Sequence, residues 1–210
     1  MNEAVFVLLD EFADWELAPI ASVINQFPNW TVKTAAPAKA ALRSIGGISV
    51  VPDCTFGEIS WSACKGVFLI GGNSWRTPAA ASVKALVEKA SEQNIVIGAI
   101  CDATTFLAST GVLNTVRHTG NVLSDLELSN QYNGQGLYQN VPAVCDQNII
   151  TANGCAPLEF AREAVKALGI LDSAEAEKWY KVFKQGFYDA PQEAFWWFGK
   201  MRKLKGCQSF

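Results

Sequence analysis

The chain holds six cysteines and a single histidine, and one of those cysteines is set apart by its neighbours. Cys101 directly follows a continuous apolar run, residues 95–100, and is followed, after Asp102, by residues 103–108, which are good helix material closed near Gly111. A nucleophile on a sharp strand-to-helix turn needs small flanking residues, because the two backbones come close together there. Ala99 and Ala103 flank Cys101 in that way. At a helix start, unpaired N–H groups and the positive end of the dipole favour a thiolate, so the position is expected to lower the pKa of the thiol. The same spacing suits a buried, inert cysteine at a strand end. The other cysteines (Cys54, Cys64, Cys145, Cys155 and Cys207) are scattered without a CxxC pair, which with one histidine argues against a zinc site. Most of them read as buried free thiols of a reducing compartment. No phosphate loop or dinucleotide fingerprint is present, so neither a metal nor a cofactor is expected.

The elements that must position Cys101 follow from hydrophobic patterning. Residues 5–9 form a short apolar run suited to a strand buried on both faces, and residues 14–27 return apolar side chains at helical spacing. Residues 30–36 read as the next strand and residues 42–51 as a hairpin around Gly46 and Gly47, closed by Pro52 and Asp53. A further buried strand, residues 67–70, ends in Gly71, Gly72 and Asn73. An amphipathic helix is expected over 77–93, with Thr77 as N-cap and Pro78 in its first turn. After a polar, glycine-containing stretch (129–140) come a strand at 148–151 and a helix at 157–168 ended by Gly169. Strands alternating with helices mean an α/β domain with a mostly parallel sheet covered on both faces. Ligands then bind at the carboxyl ends of the strands. Residues 1–170 form this domain. Residues 171–210 form an aromatic-rich helical extension, with Trp179, Phe183 and Phe187 four residues apart and a second cluster at 195–198. It reads as a helical hairpin packed on the domain or at a dimer interface, or as a lid.

Composition limits the function. Half of the 210 residues are hydrophobic and 18% are charged, enough to build one sizeable core. A formal net charge of -3 offers no basic surface for nucleic acid. No apolar run approaches the roughly 18 to 20 residues of a membrane span, and the opening residues lack the basic and apolar regions of a secretory signal, so a cytoplasmic protein is expected.

Three segments carry a resemblance. Asp10-Glu-Phe-Ala-Asp-Trp-Glu16, Phe68-Leu-Ile-Gly-Gly-Asn73 and Ala99-Ile-Cys101 are similar, in order and spacing, to the signature regions of the ThiJ/PfpI superfamily. Thr151-Ala-Asn-Gly154 and Leu158-Glu-Phe-Ala161 extend the likeness, which covers roughly residues 4–168. That superfamily includes intracellular PfpI-type proteases, cofactor-independent glyoxalases and the Parkinsonism-associated protein. The resemblance implies a class I glutamine amidotransferase-like fold, a three-layer α/β/α sandwich with a flavodoxin-like, mostly parallel sheet, here followed by the helical extension. It also implies a homodimer. Glu16, which by itself reads as a first-turn helix carboxylate, would face the sulfur of Cys101 as a protonated acid bonded to a thiolate. Backbone N–H groups of Gly72 and Asp102 would form an oxyanion hole, with Asn73 beside it.

The chain departs from the family pattern at the third catalytic group. Relatives carry histidine just after the cysteine or about twenty residues beyond it. Asp102 and Asn121 stand at those places here, and His118 falls three residues short of the second. A loop shift would bring His118 in; otherwise it anchors a loop or lies at the surface. Without an imidazole, amidotransfer and proteolysis lose their usual base and acid. Asp102 either orients a substrate or caps its helix. Trp15 and Trp75 either wall a pocket or pack, and Glu159 begins the last helix. The expected function is cysteine-dependent chemistry on a small-molecule substrate, a reactive carbonyl compound, or limited hydrolysis. The alternative is a non-enzymatic redox or stress sensor using the same cysteine.

Overall fold

In a computed structural model, which describes residues 1–195 and 197, the chain alternates strand and helix as its patterning predicts. The order begins β1 (Asn2–Val7), α1 (Asp14–Ile24), β2 (Trp30–Ala36), β3 (Leu42–Arg43), β4 (Ser49–Val50), β5 (Cys54–Thr55) and β6 (Cys64–Leu69). It continues α2 (Val83–Glu92), β7 (Val96–Ile100), α3 (Asp102–Ser109), α4 (Leu123–Leu126), β8 (Ala143–Asp146), β9 (Ile149–Ala152), α5 (Pro157–Ala167) and α6 (Ser173–Asp189). Seven strands form one sheet in the order β5-β2-β1-β6-β7-β9-β8, and β3 with β4 makes the separate antiparallel hairpin. All pairings in the large sheet are parallel except β8 with β9. The chain leaves β1 towards β2 and later returns to lay β6 on the other side of β1. This reversal opens a crevice at the carboxyl ends of β1 and β6, where doubly wound sheets bind ligands.

Because successive strand residues face opposite sides, each strand feeds two cores. Val5, Val7, Val67, Leu69, Ile97 and Ala99 pack on one face against Val83, Leu86 and Leu107 of α2 and α3. Ala4, Phe6, Phe68, Ile70 and Ile100 pack on the other against Ile20 and Ile24 of α1 and Phe160 of α5. The second core is built around rings: Phe6 stacks on Phe68 at 5.3 Å and Phe160 meets Phe68 edge-on at 6.1 Å. Gly98 makes room for them, since a Cβ there would lie 2.5 Å from Phe68 Cδ1 and 2.8 Å from Phe160 Cζ. The structure therefore has the sandwich of a mostly parallel sheet with helices on both sides.

Some elements differ from the sequence reading. The helix expected over 77–93 opens as a 3₁₀ turn, Pro78–Ser82, capped by Thr77, before α2 takes over at Val83. Strand β8 was not expected, because an edge strand with only Val144 buried carries little apolar signal. In the extension, α6 packs on α5 through Ala176 and Trp179, Val182 joins Ala190 and Ala194 in a small separate cluster, and the helical run breaks at Gly186, where φ is 81°. A 3₁₀ turn, Gln192–Phe195, follows. The rest of the second aromatic cluster, apart from Trp197, and Cys207 lie outside the described residues. Glu159 does more than open α5: its Oε1 accepts from Tyr180 Oη at 2.7 Å and from Lys184 Nζ at 2.9 Å, tying α6 down. Among the described residues no helix is long and apolar enough to cross a membrane.

Candidate active site

Strand β7 ends at Ile100 and α3 begins at Asp102, so Cys101 alone makes the turn. Its backbone sits at φ 59°, ψ −133°, a conformation that costs a residue with a Cβ on the order of 1–3 kcal/mol. Cys101 N–H donates to Ala152 O at 3.0 Å, while Thr104 N–H (3.0 Å) and Oγ1 (2.6 Å) both donate to Cys101 O. Those bonds hold the turn from both sides. Gly154 presses on the sulfur: a Cβ there would lie 2.8 Å from Cys101 Sγ and 3.2 Å from Glu16 Oε1. Glycine at 154 is thus a requirement of the close approach.

Glu16, in the first turn of α1, is fully buried. Its Oε2 accepts from Gly71 N–H at 2.8 Å, while Oε1 accepts nothing from the rest of the described chain and is left beside the Cys101 thiol. Burial drives the Glu16 carboxyl up from 4.5 to about 7, against the hydrogen bonds from Cys101 and Gly71 and with a smaller push from the Asp102 charge. Burial likewise pushes the Cys101 thiol up to about 11, helped by the Glu16 charge; the Asn121 amide and Asp102 N–H act the other way. The expected lowering by the helix start is therefore overturned, because two N–H donors do not offset desolvation beside a carboxylate. The pair titrates as a unit. Burial opposes a charge on either group, so the pair gives up its protons one after the other rather than together.

Asn121 occupies the place of the missing imidazole. Its Nδ2 donates to Cys101 Sγ at 3.4 Å, and its Oδ1 accepts from Gly154 N–H at 2.9 Å, which fixes which end of the amide faces the sulfur. His118 is not at the site. It is buried, with Nδ1 2.8 Å from Val116 O and Nε2 2.7 Å from Tyr132 Oη, and its ring lies edge-on to Tyr132 and Tyr138. Its part in binding is thereby corrected to that of a loop anchor, held by partners too good to leave. Trp15 stands half-exposed at the rim, donating from Nε1 to Gly154 O at 3.1 Å. Trp75 is buried packing, donating to Ile70 O and leaning on Phe106.

The candidate anion hole has a clear backbone setting. Ala13 N–H donates to Gly71 O and Asn73 N–H to Glu11 O, so the chain on either side of Gly72 is paired while Gly72 N–H is not used in these bonds. Gly72 has φ 152°, and a Cβ there would strike Phe12 Cα at 2.8 Å. Asn73 spends its own N–H on Glu11 and so does not supply it to a bound anion. The Asp102 N–H favours the Cys101 thiolate. The Asp102 side chain neither caps α3 nor turns to the sulfur: Arg76 Nε and Nη2 hold its two oxygens at 2.8 Å each. Arg76 Nη2 also reaches Asp125 Oδ2 in α4 at 2.7 Å. Arg76 and Asp125 carry no sequence signal, since nothing in their spacing says that they meet Asp102. Of the remaining cysteines, Cys64 is buried, Cys54 and Cys145 are half-buried, and Cys155 is exposed. Among the described residues no cluster of three or more His, Cys, Asp or Glu side chains could hold a metal ion.

Known proteins share this arrangement of elements. The sequence profile of the DJ-1/PfpI family matches residues 2–167. The chain is 35% identical over 190 residues to the Bacillus subtilis (strain 168) protein named "Uncharacterized protease YdeA", covering 90% of this chain and 94% of that one. Among solved structures, the DJ-1 superfamily protein Atu0886 from Agrobacterium tumefaciens is 34% identical with a TM-score of 0.82, over 88% of this chain and 98% of that one. The thiJ/pfpI family protein from Bacillus anthracis is 28% identical with a TM-score of 0.85, over 95% and 96% of the two chains. With the profile spanning most of the chain and the fold matched over nearly all of it, this protein belongs to the DJ-1/PfpI family.

Proposed function

We propose that the protein is a cofactor-independent enzyme in which Cys101 adds to a small reactive carbonyl compound, with Glu16 as the group that moves protons. The observation that carries this reading is a buried carboxyl, pushed up to about 7, beside a thiol with an amide, not an imidazole, as its other partner. A base with a pKa near the working pH is the efficient kind. Glu16 takes the thiol proton as sulfur attacks the aldehyde carbon, the S–C bond forms, and the carbonyl oxygen accepts a proton to give a hemithioacetal. With a 2-oxoaldehyde, carrying a proton from C1 to C2 through the same carboxyl converts this adduct to a thioester. Water then releases a 2-hydroxy acid and restores the thiol; the oxidation of C1 balances the reduction of C2. Gly72 and Asp102 N–H groups stabilise the oxyanion as it forms.

Limited hydrolysis is the second reading, supported by the word protease in the name of the B. subtilis relative. It needs a proton delivered to a leaving amine, and Asn121 has none to give. The test measures loss of methylglyoxal and cleavage of a peptide library by the wild type and Cys101→Ser. Methylglyoxal loss that disappears in Cys101→Ser is the expected outcome. Peptide cleavage without carbonyl turnover favours the hydrolase. Neither activity, with Cys101 oxidised by mild peroxide, favours the sensor.

A further inference from the structure

Arg76 is fixed by three hydrogen bonds to two carboxylates, and one of those belongs to the residue that follows the nucleophile. The guanidinium is partly exposed, and the pairing is bidentate on Asp102, the geometry in which arginine holds a carboxylate most firmly. The Asp102 charge gives Glu16 a small upward push even with Arg76 in place, and a carboxylate left unpaired one residue from Cys101 would oppose ionisation of the pair more strongly. The other groups facing that pair are neutral or engaged elsewhere. Asn121, Gly71 and Gly154 carry no charge, and Trp15 covers Gly154. Asp14 on α1 receives Gly46 N–H of the β3–β4 hairpin, and Asp10 receives Arg43 N–H. Asp125 meets Arg76 from the far side.

We infer that Arg76 is a positioning residue of the active site: by clamping Asp102 it offsets much of the charge on the carboxylate that follows the nucleophile in the chain and fixes the first turn of α3, into which Cys101 leads. This rests on the reading of Cys101 as the working nucleophile. A positively charged clamp shared between two aspartates leaves the rim of the site with one net negative charge rather than two. In this fold the arginine therefore governs how readily the thiol gives up its proton without touching it.

The test is the pH profile of Cys101 alkylation by iodoacetamide in the full chain, followed peptide by peptide by mass spectrometry from about pH 6 to about pH 11, the midpoint shift being read as displacement of the rising limb along the pH axis, with exposed Cys155 as internal control for the reagent. Arg76→Gln should move the Cys101 midpoint up by about half a unit or more, the size expected for one unscreened charge a few ångströms further out than contact. Arg76→Lys should keep most of the wild-type position. The double variant Arg76→Gln with Asp102→Asn should return the midpoint close to wild type, which simple loss of structure would not do. Asp102→Asn alone, which keeps the arginine, should move it down and serves if Arg76→Gln does not fold. A reactive Cys101 whose midpoint is unmoved in Arg76→Gln, or unmoved or raised in Asp102→Asn, overturns the role of Arg76. A wild-type Cys101 that stays unreactive at every pH while Cys155 reacts overturns the nucleophile reading beneath it.

Discussion

Glu16 titrates near neutrality because its carboxylate has left water for an apolar setting with a single backbone N–H, that of Gly71, as compensation. The sign of the linked stability follows. The folded state holds this proton from the ordinary 4.5 up to about 7, so the contribution is complete below about 4.5 and is lost as pH rises through about 7. By the size of the shift the loss is on the order of 3 kcal/mol. Glu16→Gln removes the titration: its urea midpoint relative to wild type should climb between pH 5 and pH 8, while turnover of methylglyoxal falls roughly a hundredfold and the rising limb of its pH–rate profile disappears. A variant that tracks the wild-type midpoint across that window would place the Glu16 carboxyl in its ordinary range. In the sequence, the nucleophile turn was legible because Ala99, Cys101 and Ala103 express a steric rule. Its acid–base state was not, because desolvation depends on what α1 and the glycines at 71 and 154 bring against the sulfur.

At the scale of elements, the loop before α4 puts Asn121 on the sulfur, and it is held by buried polar partners rather than by regular structure. Thr119 N–H donates to Thr151 Oγ1, and Thr119 Oγ1 donates to Val141 O, both at 2.8 Å. His118 latches the loop to Val116 and Tyr132. Replacing His118 with Leu would strand Val116 O and Tyr132 Oη in the interior, at about 2–4 kcal/mol by urea unfolding, with kcat reduced and the Cys101 alkylation midpoint raised, both through a displaced Asn121. Unchanged stability with a lowered kcat would mean that His118 is not the anchor of this loop. Burial holds the His118 ring below its usual pKa, so its neutral form supports the fold above about 6.5 and that support fades as pH falls. The sequence placed His118 near the correct loop but could not tell a ligand from an anchor. The difference lies in Tyr132, fourteen residues away and in hydrogen-bond contact. Edge strand β8 escaped for a related reason: three of its four residues are only half-buried, so its pattern is too weak to stand out.

The whole molecule was the most legible level, since alternating apolar runs and amphipathic stretches dictate a parallel sheet with two covered faces and place its functional end. Assembly is written less plainly. Along α6, Trp179 is buried against the domain while Phe183, Phe187 and Tyr188 remain exposed, at 47%, 67% and 101%. Aromatic surface of that extent on one helix favours association, and the protein is expected to be at least a dimer. Light scattering should return a mass well above 22.7 kDa over a wide concentration range, and a monomer mass throughout would contradict it.

The raised thiol of Cys101 has a consequence for survival in an oxidising episode. Peroxide attacks thiolates, and a thiol pushed up by burial offers peroxide little to attack. On the function proposed above, burial beside Glu16 would slow peroxide attack on Cys101 relative to exposed Cys155, which peptide-level mass spectrometry under mild peroxide would report.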